Sequence, residues 1–196
     1  MLLCEQRCVI ITGAGSGLGR SYALAFAAEG AQVLVNDIRL DAAESVAQEI
    51  SALGGQAIAN SDDITSMQGA QSIVAQALQA FGAVHVLVNN AGILRDRMFI
   101  SLSEDDWDQV MRVHLKGHFC LANTLGRHWR DLSKAGQRPD ARIINTSSGA
   151  GLQGSVGQSN YAAAKAGIAA LTLVQSVEMA RYGVSAGDTE VFHRLI

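Results

Sequence analysis

Proline is almost absent from this chain, with one residue, Pro139, in 196. Little of the sequence is therefore barred from helix or sheet, and Pro139 itself falls in a polar, basic stretch, 131–140, that reads as a surface loop. Cysteine is scarce as well. Cys4, Cys8 and Cys120 show neither CxxC nor Cys/His ligand spacing, so a disulfide framework and a metal site are not expected, and the three read as ordinary thiols of a reducing compartment. Strong charge of either sign is missing too: a net charge of −3 is too mild for electrostatic capture of nucleic acid or an anionic membrane. No apolar run approaches the ~20 residues of a membrane span, and residues 1–7 have no charged lead before a long apolar stretch. These absences point to a cytoplasmic protein whose partner is a small molecule, with no nucleic acid and no membrane.

What is present is enough apolar residue, 48%, for a packed core, and one domain over residues 1–196 is expected. Short apolar runs rich in β-branched residues, at 8–12, 32–35, 56–59, 84–88 and 141–146, read as strands. Each is followed by a segment of helical period: 17–29, 41–53, 66–81, 103–129 and 159–181. Such alternation predicts a doubly wound α/β fold with a parallel sheet, because each right-handed crossover carries a helix over the sheet. Runs such as Val9-Ile10-Ile11 and Val86-Leu87-Val88 do not alternate with polar residues, which suits strands covered on both faces. Gly30, Gly54-Gly55 and Gly82 stand where helices should end.

Directly after the first strand comes Thr12-Gly13-Ala14-Gly15-Ser16-Gly17-Leu18-Gly19, with a helix opening inside it. Glycines let the backbone turn tightly and approach a pyrophosphate, and the unpaired amides of the helix N-terminus attract the anion. A glycine string can also be only a turn, but here the strand-turn-helix context of a phosphate loop is met. Asp37, at the end of the second strand, either hydrogen-bonds the ribose hydroxyls of an adenosine or caps the loop before Asp41. In the first role it would repel a 2′-phosphate, favouring NAD, whereas the nearby Arg39 keeps NADP open.

These residues resemble the short-chain dehydrogenase/reductase family, whose phosphate loop reads TGxxxGxG as Thr12 to Gly19 does. Asn89-Asn90-Ala91-Gly92 is similar to the family's NNAG segment, and Asp63-Ile64 to the pair that contacts the adenine. Tyr161 and Lys165 match YxxxK, with Ser148 thirteen residues before Tyr161. The resemblance implies a Rossmann-type sheet and a nicotinamide cofactor held by Gly13, Ser16, Gly17, Leu18, Gly19, Asp37, Asp63, Ile64, Asn90, Ala91, Gly92, Tyr161 and Lys165. It also implies a homodimer or homotetramer formed through the fourth and fifth helices. The residues carry a chemical logic of their own, because side chains four apart share one helix face. A lysine ammonium beside Tyr161 favours the phenolate, so a proton can pass to or from an alcohol, while Ser148 at a strand end holds the reacting oxygen. The expected reaction interconverts a secondary alcohol and a ketone by hydride transfer.

Two departures from the family pattern stand out. His114 occupies the place of the usual asparagine of the fourth helix, and it either takes over that residue's part in proton transfer or is only a packed helix residue. NNAGILRDRMF and RVHLKGHF are similar to the dehydrogenase region of peroxisomal multifunctional β-oxidation enzymes and their bacterial relatives, where a histidine also occurs; this resemblance implies 3-hydroxyacyl-CoA or hydroxysteroid substrates. The second departure is the end of the chain. The resemblance runs over about 7–184, and the tail 185–196 has no apolar strand run, so the family's C-terminal strands and substrate lid are expected to be missing, through deletion, an altered reading frame or a sequence given without its lid. A competing reading follows, a non-catalytic dinucleotide-binding or assembly subunit. Residues 95–101 and 149–158, with Met98, Phe99, Leu152 and Val156, are expected to line an apolar substrate pocket.

Overall fold

The computed structural model describes residues 2–189. Strand β1 (Cys8–Thr12) is buried along its whole length and forms the middle of the sheet, because none of its five residues needs water. β2 (Gln32–Asn36) pairs with one side of it and β4 (Val86–Asn89) with the other. β3 (Gln56–Asn60) lies outside β2, and β5 (Ala141–Asn145) and β6 (Val184–Asp188) lie beyond β4, giving the order β3-β2-β1-β4-β5-β6 with every pairing parallel. The chain thus builds outward from β1 to β3 and then crosses back to β4. That reversal leaves a crevice at the carboxyl ends of β1 and β4, the place where such sheets take ligands.

Alternation along β1 divides the core. Ile10 points into one layer with Leu34, Leu87, Ile143, Leu121, Leu125 and Trp129, under α3 (Met67–Phe81) and α5 (Gly117–Lys134). Val9 and Ile11 face the other layer, with Val33, Val35, Val46 and Ile50, under α1 (Gly17–Ala28) and α2 (Leu40–Ala52). Each fully buried aliphatic side chain contributes about 1.5–3 kcal/mol. Gly30, Gly54 and Gly82 close helices with φ of +87°, +85° and +80°, the left-handed geometry expected of them.

Three expectations are corrected. The helix expected over 103–129 is α4 (Glu104–Met111), a π-helical turn (Arg112–Lys116) and α5, which runs on to Lys134 and shortens the loop expected at 131–140. Periodicity cannot register one extra residue in a turn. The segment 149–158 includes a short helix, α6 (Gly149–Gln153), ahead of α7 (Ser159–Ala180). Most consequentially, a sixth strand is present. β6 pairs in register with β5, from Ala141 opposite Val184 to Asn145 opposite Asp188. It escapes an apolar-run criterion because it is the edge strand among the described residues. Only Val184 packs its apolar side chain fully, with Ala186 against the same cluster, while Ser185 faces solvent and Gly187 adds no side chain. The expectation of a missing lid concerns residues beyond Thr189 and lies outside the described residues.

Candidate active site

The glycine loop is built by close approach. Gly13 has φ +61°, and a Cβ there would lie 2.8 Å from Ala91 Cα. A Cβ on Gly19 would overlap the Gly13 carbonyl oxygen and lie 2.6 Å from Asn90 Nδ2. Gly17 has open space around it but φ +55°, so there the backbone angle alone favours glycine. Ser16 precedes α1 without making a side-chain cap, so the first amides of that helix remain available to an anion. Leu18 is exposed at the mouth of the loop. This cradle fits a pyrophosphate.

The segment after β4 supports the loop from below. Thr12 Oγ1 accepts from the Asn90 and Ala91 amides, both at 3.0 Å, and Asn90 Nδ2 donates to the carbonyls of Thr12 and Gly13. Deeper in, Asn89 Nδ2 donates to Asn145 Oδ1, and Asn145 Nδ2 donates to Thr172 Oγ1 and Gln175 Oε1, tying β4 and β5 to α7. At the end of β2 Asp37 is 8% exposed. Its Oδ2 accepts from the Gly15 amide and its Oδ1 from the Arg39 amide, each at 3.0 Å, so one carboxylate ties the glycine loop to the end of β2. The Arg39 guanidinium lies 3.8 Å away and is largely exposed. After β3, Asp63 holds the Thr65 amide and hydroxyl and an Arg112 nitrogen; burial pushes its pKa up, but these bonds outweigh it and bring it below the ordinary value. Ile64 is buried beside them.

Beyond β5, Ser148 caps α6, its Oγ accepting from the Ala150 amide at 3.2 Å. Tyr161 stands in the first turn of α7 and Lys165 one turn on. Lys165 is 3% exposed and donates from Nζ to the Thr146 carbonyl, two residues before Ser148; Gly151 of α6 packs on the Lys165 backbone. Lys165 thus lies against the segment that leads from β5 to Ser148, with Tyr161 one turn before it on the same helix. Burial lowers the Lys165 pKa to about 8, and its Nζ lies 5.6 Å from the Tyr161 ring centroid.

His114, in the π turn, is buried with its ring edge-on to Tyr161 at 5.3 Å. Its Nε2 lies 3.0 Å from the Ile93 amide nitrogen and 2.8 Å from the Ile93 carbonyl oxygen, accepting from the first in one tautomer or donating to the second in the other. Gly92 packs on the ring so closely that a Cβ would overlap it. Burial first, and the Lys165 charge with it, brings the His114 pKa down to about 4 against the opposing pull of Ile93, so the ring is neutral near pH 7. His118, one turn further on, is buried and held neutral in the same way.

Sequence reasoning passed over Asn160, which is fully buried. Its Nδ2 donates to the carbonyls of Arg95 and Asp106, and its Oδ1 accepts from the Tyr161 amide at 2.8 Å, so it anchors the start of α7 to the loop after β4 and to α4. Those carbonyls are distant in sequence, and no local pattern announces them. Arg95 to Met98 run beside the approach to α7, with the Arg97 amide donating to Gly157 and Gln158 donating to Asp96. Met98, Phe99, Leu152 and Val156 are all exposed there. Cavities of about 600 and 710 Å³ open elsewhere, around Arg142 and Val184 and around Gly30 and Gly55, and neither touches Ser148, Tyr161 or Lys165. Among the described residues no cluster of His, Cys, Asp or Glu could hold a metal ion, and no helix is long and apolar enough to cross a membrane.

A family model described as short chain dehydrogenase matches residues 7–188. The chain belongs to that family. Membership brings a nicotinamide dinucleotide as cofactor, which the cradle, Asp37 and the loop supports fit. The match takes in β6, four residues past the point at which the motif resemblance ended. The chain is 48% identical over 185 residues to the hydroxyacyl-CoA dehydrogenase ChsB1 of Mycobacterium tuberculosis, covering 90% of this chain and 58% of that protein. It is 45% identical over 183 residues to peroxisomal multifunctional enzyme type 2 of Mus musculus, covering 89% of this chain and 24% of that one. A crystal structure of a short chain dehydrogenase from Mycobacterium avium superposes with a TM-score of 0.93 at 55% identity, covering 95% of this chain and 67% of that one. The chain thus spans little more than half of the first relative and about a quarter of the second.

Proposed function

We infer that the chain is an NAD-dependent dehydrogenase that interconverts a secondary alcohol and a ketone. The observation that carries this reading is the buried Lys165 ammonium one helical turn from Tyr161, anchored through the Thr146 carbonyl to the segment that leads from β5 to Ser148. With its pKa near 8, Lys165 is still mainly protonated at pH 7, and its ammonium stands one turn from Tyr161, where it can steady charge that develops during proton transfer. Tyr161 Oη then takes the proton of the substrate hydroxyl, or returns it in the reverse direction, while Ser148 Oγ hydrogen-bonds the same oxygen. The bound dinucleotide supplies the carbon that accepts or gives the hydride. His114 does not exchange protons itself near neutrality; it fixes Ile93 and the face of Tyr161 through its neutral ring.

NAD is preferred over NADP because the Asp37 carboxylate already stands at the adenosine end, where it would accept from ribose hydroxyls and repel a 2′-phosphate. A 3-hydroxyacyl-CoA thioester is the substrate class we favour, with hydroxysteroids second. Similarity to a hydroxyacyl-CoA dehydrogenase and to a peroxisomal multifunctional enzyme, and the apolar Met98, Phe99, Leu152 and Val156, support it. Residues 1–196 are read as one dinucleotide-binding unit. A homodimer or homotetramer is favoured by the exposed Phe119, Leu173, Val174 and Val177 on α5 and α7. Three free thiols suit the cytoplasm, although several relatives are named peroxisomal.

The test is NADH formation from NAD and 3-hydroxyacyl-CoA or hydroxysteroid substrates. Turnover with NAD exceeding that with NADP is expected. A folded chain that binds NADH yet turns over none of these alcohols would instead support a non-catalytic binding subunit.

A further inference from the structure

The π turn Arg112–Lys116 touches both ends of the site. At its start, Arg112 Nε donates to Thr65 Oγ1 at 2.9 Å and Nη2 donates to Asp63 Oδ2 at 3.0 Å. Thr65 in turn donates its hydroxyl to Asp63 Oδ2 and its amide to Asp63 Oδ1, both at 2.8 Å, so three side chains form one closed set. One lone pair of Oδ1 stays free for a ligand. At the end of the turn, Ile64 of the same loop packs on Gly117 so closely that a Cβ there would lie 2.7 Å from Ile64 Cδ1. Between these two contacts sits His114, locked to Ile93 and edge-on to Tyr161.

The ion pair itself is exposed, with Arg112 and Asp63 side chains 61% and 42% accessible, so it adds little to global stability. Its position matters more. A π turn carries one residue more than an α-turn, and slipping back to α geometry would rotate everything on one side of it by about 100° relative to the other. A loop that grips the turn at both ends opposes that slip.

We propose that the Asp63–Thr65–Arg112 clamp couples the adenosine end of the site to its reaction end by holding the register of the π turn that carries His114. Arg112 and Thr65 are thereby positioning residues. This rests on the reading that a dinucleotide places its adenosine beside Asp37 and Asp63. Occupancy there orders the 63–65 loop, the loop steadies the π turn, and His114 and Tyr161 are presented in one arrangement.

Hydrogen exchange tests the coupling without turnover, using ADP-ribose, which lacks the nicotinamide. In the unaltered chain, ADP-ribose should slow exchange of the amides at 113–118 about tenfold. Arg112→Met keeps the aliphatic stem and removes the donors; it should bind ADP-ribose within about threefold by calorimetry yet lose that protection. Thr65→Val, which deletes one hydroxyl and keeps the ion pair, should lose part of it and serves in place of Arg112→Met if that variant does not fold. Protection retained in a variant that still binds ADP-ribose overturns the coupling. So does loss of binding by more than about a hundredfold in Arg112→Met, which would make Arg112 a binding residue instead. If the unaltered chain binds no ADP-ribose, the dinucleotide reading fails first and takes the coupling with it, an outcome distinct from intact binding without protection.

Discussion

The phosphate end and the reaction end of this site are built from different materials. Around Thr12 to Gly19 the structure relies on backbone: positive φ at Gly13 and Gly17, close contacts that leave no room for a Cβ at Gly13 or Gly19, and amides held by Thr12 and Asp37. Around Tyr161 it relies on buried ionisable groups, Lys165, His114 and His118, each shifted toward its neutral form by burial. The first end is shaped to receive an anion through backbone geometry and oriented dipoles. The second expends folding free energy to hold ionisable groups away from water.

If that contrast is right, removing the buried charge should separate activity from stability most sharply. Lys165→Met is expected to lower kcat by about 10³-fold, since Tyr161 loses its neighbouring cation. The same change should raise the thermal midpoint at pH 7. The folded-state pKa of about 8 lies below the ordinary 10.5, so the cost of burying the ammonium is fully present below pH 8 and is relieved as pH rises from 8 to 10.5. Thermal denaturation and steady-state kinetics on one preparation check both halves.

At the other end the effect should fall on binding. Gly19→Ala forces its methyl against the Gly13 carbonyl and Asn90, and calorimetry should show NADH affinity reduced by about a hundredfold. A variant that bound normally would remove the backbone-built account of this loop. Asn160→Ala should act on the reaction end without touching the ligand. Losing bonds to the Arg95 and Asp106 carbonyls costs about 2 kcal/mol in chemical denaturation, and kcat falls about tenfold while NADH affinity is unchanged.

A last effect concerns pH. Between pH 6.5 and 4 the unfolded chain takes up a proton that native His114 does not, so stability is present above that window and lost as pH falls through it. His118 adds to the same limb. Denaturation midpoints of His114→Gln measured across this range should show a shallower decline than those of the unaltered chain.

The same division explains what the sequence disclosed. Strand β1, the glycine loop and the Tyr161–Lys165 spacing were legible because each is local: a run of apolar residues, a string of glycines, one helical turn. β6 was not, because a strand made largely of Ser185, Ala186 and Gly187 is held by its pairing to β5 and shows no apolar pattern. The π turn was hidden inside an unbroken helical period from 103 onward. Asn160 and Arg112 carry no motif, since their partners, Arg95, Asp106, Asp63 and Thr65, are brought to them only by the crossovers. His114 was found by its place in the pattern, but whether it was a packed or an exchanging group depended on burial and on Ile93, which only the fold supplies.

The most direct test of the redox assignment is Tyr161→Phe, which removes one oxygen and leaves the cradle intact. The account predicts NADH affinity within about threefold of the unaltered chain by calorimetry and alcohol oxidation reduced by at least about 10²-fold. Full activity in that variant would contradict it.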